Sequence, residues 1–168
     1  MNQYYPKVFV LSFFLILLQL LIFDRINLFN YANPSIYIII LIIHRYDLDQ
    51  FNFIIIGFLL GFTMDLLSHS AGSHSFSCLT VSFLRPLITK FTLGVNYDDF
   101  SSPFSSGILI SNRVLYCVLI ILLHQFILNT YSYFNWTHTL TILKFTIVNS
   151  IFTFIIIISI LNLFSTKE

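Results

Sequence analysis

The stretch GFLLGFTMDLLSHSAGSHSF, residues 57–76, decides the fold of this chain. It ends one apolar run, turns through small and polar residues, and begins the next run. Gly57, Gly61 and Asp65 are spaced four residues apart, so at about 100° per residue they form one stripe along a helix. Glycines at this spacing let a second helix approach closely, which is interpreted either as general packing within the bundle or as a seam for a specific partner. The stretch therefore predicts a helical hairpin with a single carboxylate near its turn.

The composition predicts that lipid surrounds these helices. Of the 168 residues, 57% are apolar and 9% are charged, whereas about 25% of the residues in a soluble domain are charged. A soluble fold of this size cannot hide so many apolar side chains, because small domains bury only about two-thirds of their surface. The net charge of +1 and the lack of a Lys/Arg cluster argue against nucleic-acid binding. Cys78 and Cys117 lie in apolar segments, which indicates two buried thiols rather than a disulfide.

Hydropathy predicts six transmembrane helices in one polytopic membrane domain, residues 1–168. Lipid admits only helices or closed barrels, and these runs lack the period-two alternation of barrel strands. The first run follows Lys7 as a secretory signal would, but no small-residue cleavage pattern comes after it, so we expect an uncleaved helix. The predicted spans are Tyr5–Phe23, Tyr31–Ile43, Phe51–Leu67, a fourth from near Ser75 to about Phe91 that kinks or ends at Arg85-Pro86, Ile108–Leu128 and Thr139–Phe164.

The second span is predicted to be too short to cross the bilayer as a plain helix. It opens with Asn33-Pro34, where Asn can cap a helix and Pro suits the first turn. Its 13 residues give about 20 Å at ~1.5 Å per residue, against a hydrocarbon core of ~30 Å. We therefore expect neighbouring helices to shelter this segment, or the bilayer to thin around it.

We expect both termini in the cytoplasm, because this orientation places six of the eight positive side chains on that side. The opposite orientation inverts the ratio. Outer turns then fall at residues 68–75 and 129–138. The main cytoplasmic loop, residues 94–106, carries Asp98 and Asp99, which are interpreted as part of a solvated loop or as a contact for a cytoplasmic partner.

The carboxylate of Asp65 has two interpretations. The run 51–67 contains eleven Phe, Ile and Leu residues, worth roughly −5 kcal/mol for insertion against about +3 for a central aspartate. The helix therefore inserts, and Asp65 either reaches for headgroups and water or bonds to His74 at the entrance of the next helix. Gly72 supplies the turn conformation between them. A bonded pair acts as a structural clasp, or as part of a site for a partner or small molecule.

Catalytic and metal sites find little support in the sequence. The spacing of Asp65, His69 and His74 matches no zinc motif. One intramembrane aspartate does not make an aspartyl protease, and the Ser-His pair of the turn lacks a glycine-framed nucleophile elbow. His124 and Lys144 are interpreted as isolated polar groups near the outer ends of their spans, so a proton relay lacks a second acid. We predict no enzyme activity, no cofactor and no metal.

Two segments resemble the MreD family of bacterial rod shape-determining proteins: NPSIYIIILIIHR, residues 33–45, and GFLLGFTMDLLSHSAGSHSFSCLTVSFLRPLI, residues 57–88. That family has a truncated second span beginning near Asn-Pro, a G-x-x-x-G-x-x-x-D helix, a Gly-x-His turn and Leu-Arg-Pro. A serine follows the histidine here, where relatives often carry alanine. The matching positions in this sequence are Asn33, Pro34, Gly57, Gly61, Asp65, Gly72, His74, Arg85 and Pro86.

The resemblance implies a non-enzymatic scaffold in the bacterial inner membrane that supports lateral peptidoglycan synthesis and cell shape. The glycine stripe and the short second helix are then expected to leave a groove for the anchor helix of MreC. MreB filaments, RodA and the transpeptidase partner of RodA are the further partners implied. The family is also similar in architecture to the substrate-binding subunits of energy-coupling-factor transporters. That likeness supplies an alternative function, a small-molecule capture subunit, because fold alone does not decide function. An ion-conducting subunit is a third class, and it needs a chain of ionisable residues that the motif helix lacks.

Overall fold

The structure is a computed structural model that describes residues 4–25, 33–45, 49–94, 103–104, 107–134 and 136–165. Every regular element in these ranges is helical. The helices, in chain order, are α1 Tyr4–Leu18, which continues as a π-helical turn Gln19–Phe23; α2 Ile39–Ile43, preceded by a 3-10 turn Ile36–Ile38; α3 Gln50–Ser68; α4 Ser73–Leu93; α5 Ile110–Tyr133; and α6 Thr139–Ser165, preceded by a 3-10 turn Trp136–His138.

Three helices are long and apolar enough to cross a membrane: Gln50–Ser68, Ile110–Tyr133 and Thr139–Asn162. Helix α1 contributes a shorter apolar stretch, Val8–Phe23. Helix α4 has 21 residues, the length of a span, but it is rich in serine and threonine. The prediction of an all-helical fold is confirmed for the described residues, and these three helices have the length and composition of membrane spans.

The side chains are sorted as a lipid solvent requires. Phe9, Phe91 and Ile110 face outward and are 73%, 75% and 76% exposed. Arg85 and Gln125 are buried, with 4% and 0% exposure. Soluble proteins almost never bury an arginine unless it is paired, and they rarely expose many large apolar side chains together. The bundle therefore turns these polar groups inward and its large apolar side chains outward, which is the arrangement expected of helices that lie in lipid.

Helices α3, α4 and α5 pack in sequence as antiparallel neighbours, and α6 packs on α5. The segment that contains α2 contacts α1, α4 and α6, so it lies inside the bundle. We call the end that holds the α3–α4 turn, residues 69–72, the turn end. The last residues of α5 lie there too, because the rings of Phe76 and Tyr131 are 5.8 Å apart.

The segment from Ile36 to Ile43 is short and buried, as predicted. Its 3-10 turn and α2 together hold eight residues, about 13 Å at ~2.0 and ~1.5 Å per residue, less than half of the hydrocarbon core. Every side chain from Ile36 to Ile42 is between 0% and 4% exposed. Backbone that is not helical tolerates membrane depth only where protein surrounds it, and here the neighbouring helices provide that shelter.

The prediction that Asn33-Pro34 begin this helix is wrong. The 3-10 turn starts at Ile36, and Ser35 precedes it without a side-chain cap. Side chains of other helices accept the nearby backbone N–H groups instead: the Asn33 N–H donates to Asn149 Oδ1 at 3.0 Å, the Ser35 N–H to Thr153 Oγ1 at 3.1 Å and the Ile36 N–H to Gln19 Oε1 at 2.8 Å. Residues far along the chain therefore perform the capping that the sequence assigned locally.

Of the two predictions for Arg85-Pro86, an end of the fourth helix at the proline is wrong, whereas the predicted extent to about Phe91 is close to the observed one. Pro86 lies inside α4, which continues to Leu93. Proline has no N–H, so the Ser82 carbonyl loses its bond within the helix. The side-chain amide of Gln50 donates to that carbonyl oxygen at 2.8 Å. A group from the start of α3 thus replaces the missing donor and lets the helix pass through the proline.

The boundaries of α3 to α6 agree with the predicted spans to within two residues except at one place. Helix α5 extends five residues beyond the predicted end at Leu128, to Tyr133. Phe134 closes it in the left-handed conformation, with φ of 40°, and its N–H donates to the Thr130 carbonyl. The expected outer turn is therefore shorter than residues 129–138. Asp98 and Asp99 lie outside the described residues.

Candidate functional site

The carboxylate of Asp65 caps the helix that follows it in the chain. Helix α4 has Gly72 at its N-cap position, and glycine offers no side chain to the first free N–H groups. Asp65 Oδ1 accepts from the His74 N–H at 3.0 Å, and Oδ2 accepts from the Ser75 N–H at 2.7 Å. These are the second and third residues of α4, where a cap oxygen normally bonds. The negative charge also suits the positive end of the helix dipole.

Two hydroxyl groups complete the environment of this carboxylate. Ser70 Oγ donates to Oδ1 at 2.6 Å, and Ser75 Oγ donates to Oδ2 at 2.5 Å. Asp65 is 9% exposed, so four hydrogen bonds replace the water it has lost. The interpretation that Asp65 merely reaches for headgroups is therefore wrong. Protein groups receive the charge.

The predicted clasp between Asp65 and His74 is confirmed in part. The bond joins the carboxylate to the backbone N–H of His74, and the imidazole points elsewhere. Gly72 supplies the left-handed turn, with φ of 92°, as predicted. His69 and Ala71 also adopt positive φ, 54° and 53°, although neither residue is a glycine.

The glycine stripe faces α4 and not a partner. A Cβ atom on Gly61 would lie 2.5 Å from the His74 carbonyl oxygen and 2.6 Å from the Ser75 Cα. A Cβ on Gly57 would collide with the Ser82 hydroxyl. The expectation that these glycines leave a groove for another protein is wrong, because α4 of the same chain fills the space.

The His74 imidazole belongs to a buried chain of hydrogen bonds. The Tyr37 hydroxyl lies 2.6 Å from His74 Nδ1 and 3.0 Å from His124 Nε2, and the Cys78 sulfur is 3.7 Å from that same His124 nitrogen. Tyr37 has one hydroxyl proton, so when it donates to one imidazole it accepts from the other. The tautomers of the two histidines are therefore linked.

His124 is at the inner end of this chain. It is fully buried, at 0% exposure, and its Nδ1 atom has no hydrogen-bond partner. The description of His124 as an isolated polar group is wrong, because the Tyr37 hydroxyl lies within hydrogen-bond distance of its ring. The buried free thiols of Cys78 and Cys117 confirm the prediction for both cysteines.

A polar cavity opens beside His74 at the turn end. Its volume is about 180 Å³, and residues from several parts of the chain line it, among them Gln19, Asp24, Ser73, His74, Asn129 and Asn149. The volume holds about six water molecules at ~30 Å³ each. Sequence reasoning identified polar groups of this end mainly in and beside the α3–α4 turn. It missed those from the end of α1, from α5 and from α6.

Several polar atoms of the cavity lining have no protein partner in the described part of the chain. Asn129 uses its Nδ2 group on the Gln125 carbonyl and on Thr146, which leaves Oδ1 without a bond. Asn149 uses Oδ1 on the Asn33 N–H, which leaves Nδ2. These asparagines are only 8% and 6% exposed. Because both residues line the cavity, these two atoms are open to water or to a ligand there.

Arg85, the other charged residue of the motif, caps the C-terminal end of α2. Its Nε donates to the Tyr116 hydroxyl at 2.8 Å, and its Nη2 donates to the carbonyl of His44, the residue that closes α2. The guanidinium carbon also lies 4.4 Å from the centre of the Phe53 ring. A cation at a helix C-terminus satisfies free carbonyls and suits the dipole. Arg85 thus holds the end of the short segment opposite the cavity.

Comparison with protein-family models, with curated proteins and with solved structures found no match to this chain. The resemblance described for the motif residues stays a prediction, and the function is argued from the geometry of the site.

Proposed function

We propose that the chain is a non-enzymatic scaffold subunit of the MreD type, embedded in the bacterial cytoplasmic membrane. In this proposal the chain has six membrane segments, of which the short second one lies sheltered inside the bundle. Both termini lie in the cytoplasm, and the architecture is similar to that of energy-coupling-factor substrate-binding subunits. Its direct partner is the single anchor helix of MreC. RodA, its transpeptidase partner and MreB join within the larger complex that builds lateral peptidoglycan.

One observation carries the scaffold proposal: the described motif side chains serve the internal geometry of the bundle. Asp65 and Arg85 each cap a helix end that lacks a cap of its own. Gly57 and Gly61 close the seam between α3 and α4. An enzyme needs reactive groups that are free to meet a substrate, whereas a scaffold needs a rigid shape. The use of the motif residues favours the scaffold.

A docking surface for an anchor helix lies between α1 and α3. This apolar groove has a volume of about 740 Å³ and is lined by residues that include Val8, Phe9, Phe13, Ile56, Leu59 and Thr63. One turn of a helix about 10 Å across and 5.4 Å long occupies roughly 400 Å³. The groove therefore accommodates nearly two turns of a partner helix. It replaces the glycine stripe as the proposed contact for MreC.

The test is photo-crosslinking in native membranes from single positions. A crosslinking amino acid at Phe13 or Leu59, which are 64% and 54% exposed, probes the groove. The same amino acid at Leu143 or Ile147, 43% and 55% exposed, probes the shallow α5–α6 face as a control. We expect a protein adduct with a single-span partner from the groove positions only. Adducts with lipid alone, or equal protein adducts from both faces, contradict the proposal.

The turn-end cavity bears on the alternative function, a small-molecule capture subunit. Pockets for drug-sized ligands are about 300–1,000 Å³, whereas this cavity is about 180 Å³. A cargo of that size does not fit, and we therefore retain the scaffold as the proposed function. Mass spectrometry of gently purified protein tests the alternative. A retained molecule larger than the cavity argues for capture.

A further inference from the structure

We propose that the turn-end cavity binds a small molecule that carries a primary ammonium group beside a hydroxyl or ether oxygen, as ethanolamine does. This inference does not depend on the scaffold function. It rests on the charge of the cavity, on the polar atoms that have no partner and on the volume.

The charge of the cavity selects a cation. Asp24 is the one acidic side chain that lines it, and no lysine or arginine does so among the described residues. One oxygen of Asp24 accepts from Gln19 Nε2 at 2.8 Å, and the other oxygen accepts no hydrogen bond within the described residues. A half-buried carboxylate with an unused oxygen attracts a positive group and repels an anion.

The unpartnered atoms define what the cation must offer. Asn129 Oδ1 is available to accept a hydrogen bond from a ligand. His74 Nε2 is also an acceptor in the tautomer whose Nδ1–H donates to Tyr37. Together with Asp24 they provide three acceptors, which matches the three N–H donors of an ammonium group. The free Nδ2 group of Asn149 is a donor and requires one acceptor on the same ligand, a hydroxyl or an ether oxygen.

The cavity volume limits the size of the ligand, and the hydrogen bonds of His74 determine its effect on the bundle. A cavity of about 180 Å³ takes a molecule of a few heavy atoms or the head of a larger one. A ligand N–H that donates to His74 Nε2 fixes the tautomer of that ring. The linked hydroxyl of Tyr37 then donates to His124, so occupancy at the turn end sets the hydrogen-bond state of a residue in the middle of α5.

Equilibrium dialysis with labelled ethanolamine tests the proposal on the full chain, purified in detergent without phosphatidylethanolamine. We expect saturable binding at one site. Ethylene glycol, which lacks the charge, and glycolate, which carries the opposite charge, should fail to compete at the same concentration. The absence of saturable ethanolamine binding, or equal competition by glycolate, overturns the proposal.

Two variants with matched controls locate the site. Asp24→Asn removes the cavity charge and should weaken binding at least tenfold, whereas Asp49→Asn alters an exposed carboxylate outside the lining and should leave binding unchanged. Ser132→Phe should abolish binding by filling the cavity. Ser132 bonds only its own helix, to the Leu128 carbonyl, and Thr130 makes the same kind of bond to Phe126 without lining the cavity. Thr130→Phe is therefore the folding control, and normal binding by Ser132→Phe overturns the assignment.

The ammonium group can come from a free amine or from a lipid headgroup, and one further arm separates the two sources. The dialysis is repeated in nanodiscs with and without phosphatidylethanolamine. Loss of free ethanolamine binding in the presence of this lipid supports the site and assigns it to the headgroup. Unchanged binding supports the site and assigns it to a free amine.

Discussion

Replacing Asp65 with asparagine tests the capping of α4 by its neighbour. The substitution keeps the shape of the side chain but exchanges one acceptor oxygen for an NH₂ group. Each carboxylate oxygen accepts one backbone N–H and one serine hydroxyl. Asparagine therefore keeps the two bonds to the oxygen that remains, but without the charge that strengthens them. It loses the two bonds to the oxygen that becomes NH₂.

The expected loss of stability follows from these bonds. A hydrogen bond to a charged group is worth about 1.5–3 kcal/mol. The serine hydroxyl on the lost side can rotate toward another partner, but the backbone N–H cannot move without bending α4. One full charged bond and part of the strength of the other bonds are therefore lost, and we expect Asp65→Asn to lower the free energy of unfolding by about 3 kcal/mol.

Reversible unfolding of purified protein in mixed micelles, followed by helical circular dichroism, measures this loss. Asp49→Asn is the matched control, because Asp49 caps α3 from an exposed position through a single 3.3 Å bond to the Phe51 N–H. Asparagine caps as well as aspartate, so the control should change stability by less than about 0.5 kcal/mol. A loss below about 1 kcal/mol for Asp65→Asn, or equal losses for the two variants, refutes the capping argument.

Three further substitutions follow from the packing of the bundle. Gly61→Ala should destabilise the protein by about 2–4 kcal/mol, more than Gly57→Ala. The new Cβ at position 61 meets the backbone of α4, whereas the one at position 57 meets mainly the Ser82 side chain. Unfolding in micelles measures both losses, and equal losses contradict the prediction. Gln50→Leu should cost about 1–3 kcal/mol by leaving the Ser82 carbonyl unbonded. That cost should vanish in a chain that also carries Pro86→Ala, because alanine restores the N–H that bonds the Ser82 carbonyl. If the effects of the two substitutions simply add in a double-mutant cycle, Gln50 does not replace the missing donor. Tyr37→Phe should cost about 2–4 kcal/mol of stability, because two buried imidazoles lose their shared hydrogen-bond partner. Tyr133→Phe, at an exposed ring, is the control. Similar losses for the two variants in unfolding assays argue against the chain of hydrogen bonds.

The α3–α4 hairpin was predictable because its signals are local. The spacing of Gly57, Gly61 and Asp65 identifies one face of a helix, and Gly72 identifies the turn. The sequence left two environments open for Asp65, and the bond to the start of the next helix was one of them. Of the two interpretations of the glycines, packing within the bundle is confirmed and the partner groove is wrong. Periodicity identifies a tight seam without saying which helix occupies it.

The chain of hydrogen bonds from His74 to His124 was not predictable, because its members are distant in sequence. Tyr37 is 37 residues from His74 and 87 from His124. Tyr37 gives no sign of this role among the isoleucines that surround it. The cavity was not predictable for the same reason, because residues from α1, α5, α6 and the α3–α4 turn each line it. Only the packing of the helices brings these groups together.

Pro86 shows how tertiary contacts override a sound local rule. A proline inside a helix removes a donor, and the sequence therefore predicts a kink or an end. The rule omits Gln50, which lies 32 residues from Ser82 and supplies a donor to its carbonyl. A reader of the sequence has no means of pairing these residues before the seam between α3 and α4 is known.

Amide hydrogen exchange at the start of α4 tests the central claim most directly, that the motif carboxylate serves as the cap of the neighbouring helix. The first N–H groups of a helix lack partners within it, and α5 has Leu109 at its N-cap position without a side-chain cap. The account predicts slow exchange for the His74 and Ser75 amides in the native protein, fast exchange for Ser111 in the first turn of α5, and fast exchange for His74 or Ser75 in Asp65→Asn. Exchange at His74 and Ser75 as fast as at Ser111, or protection that persists in Asp65→Asn, contradicts it.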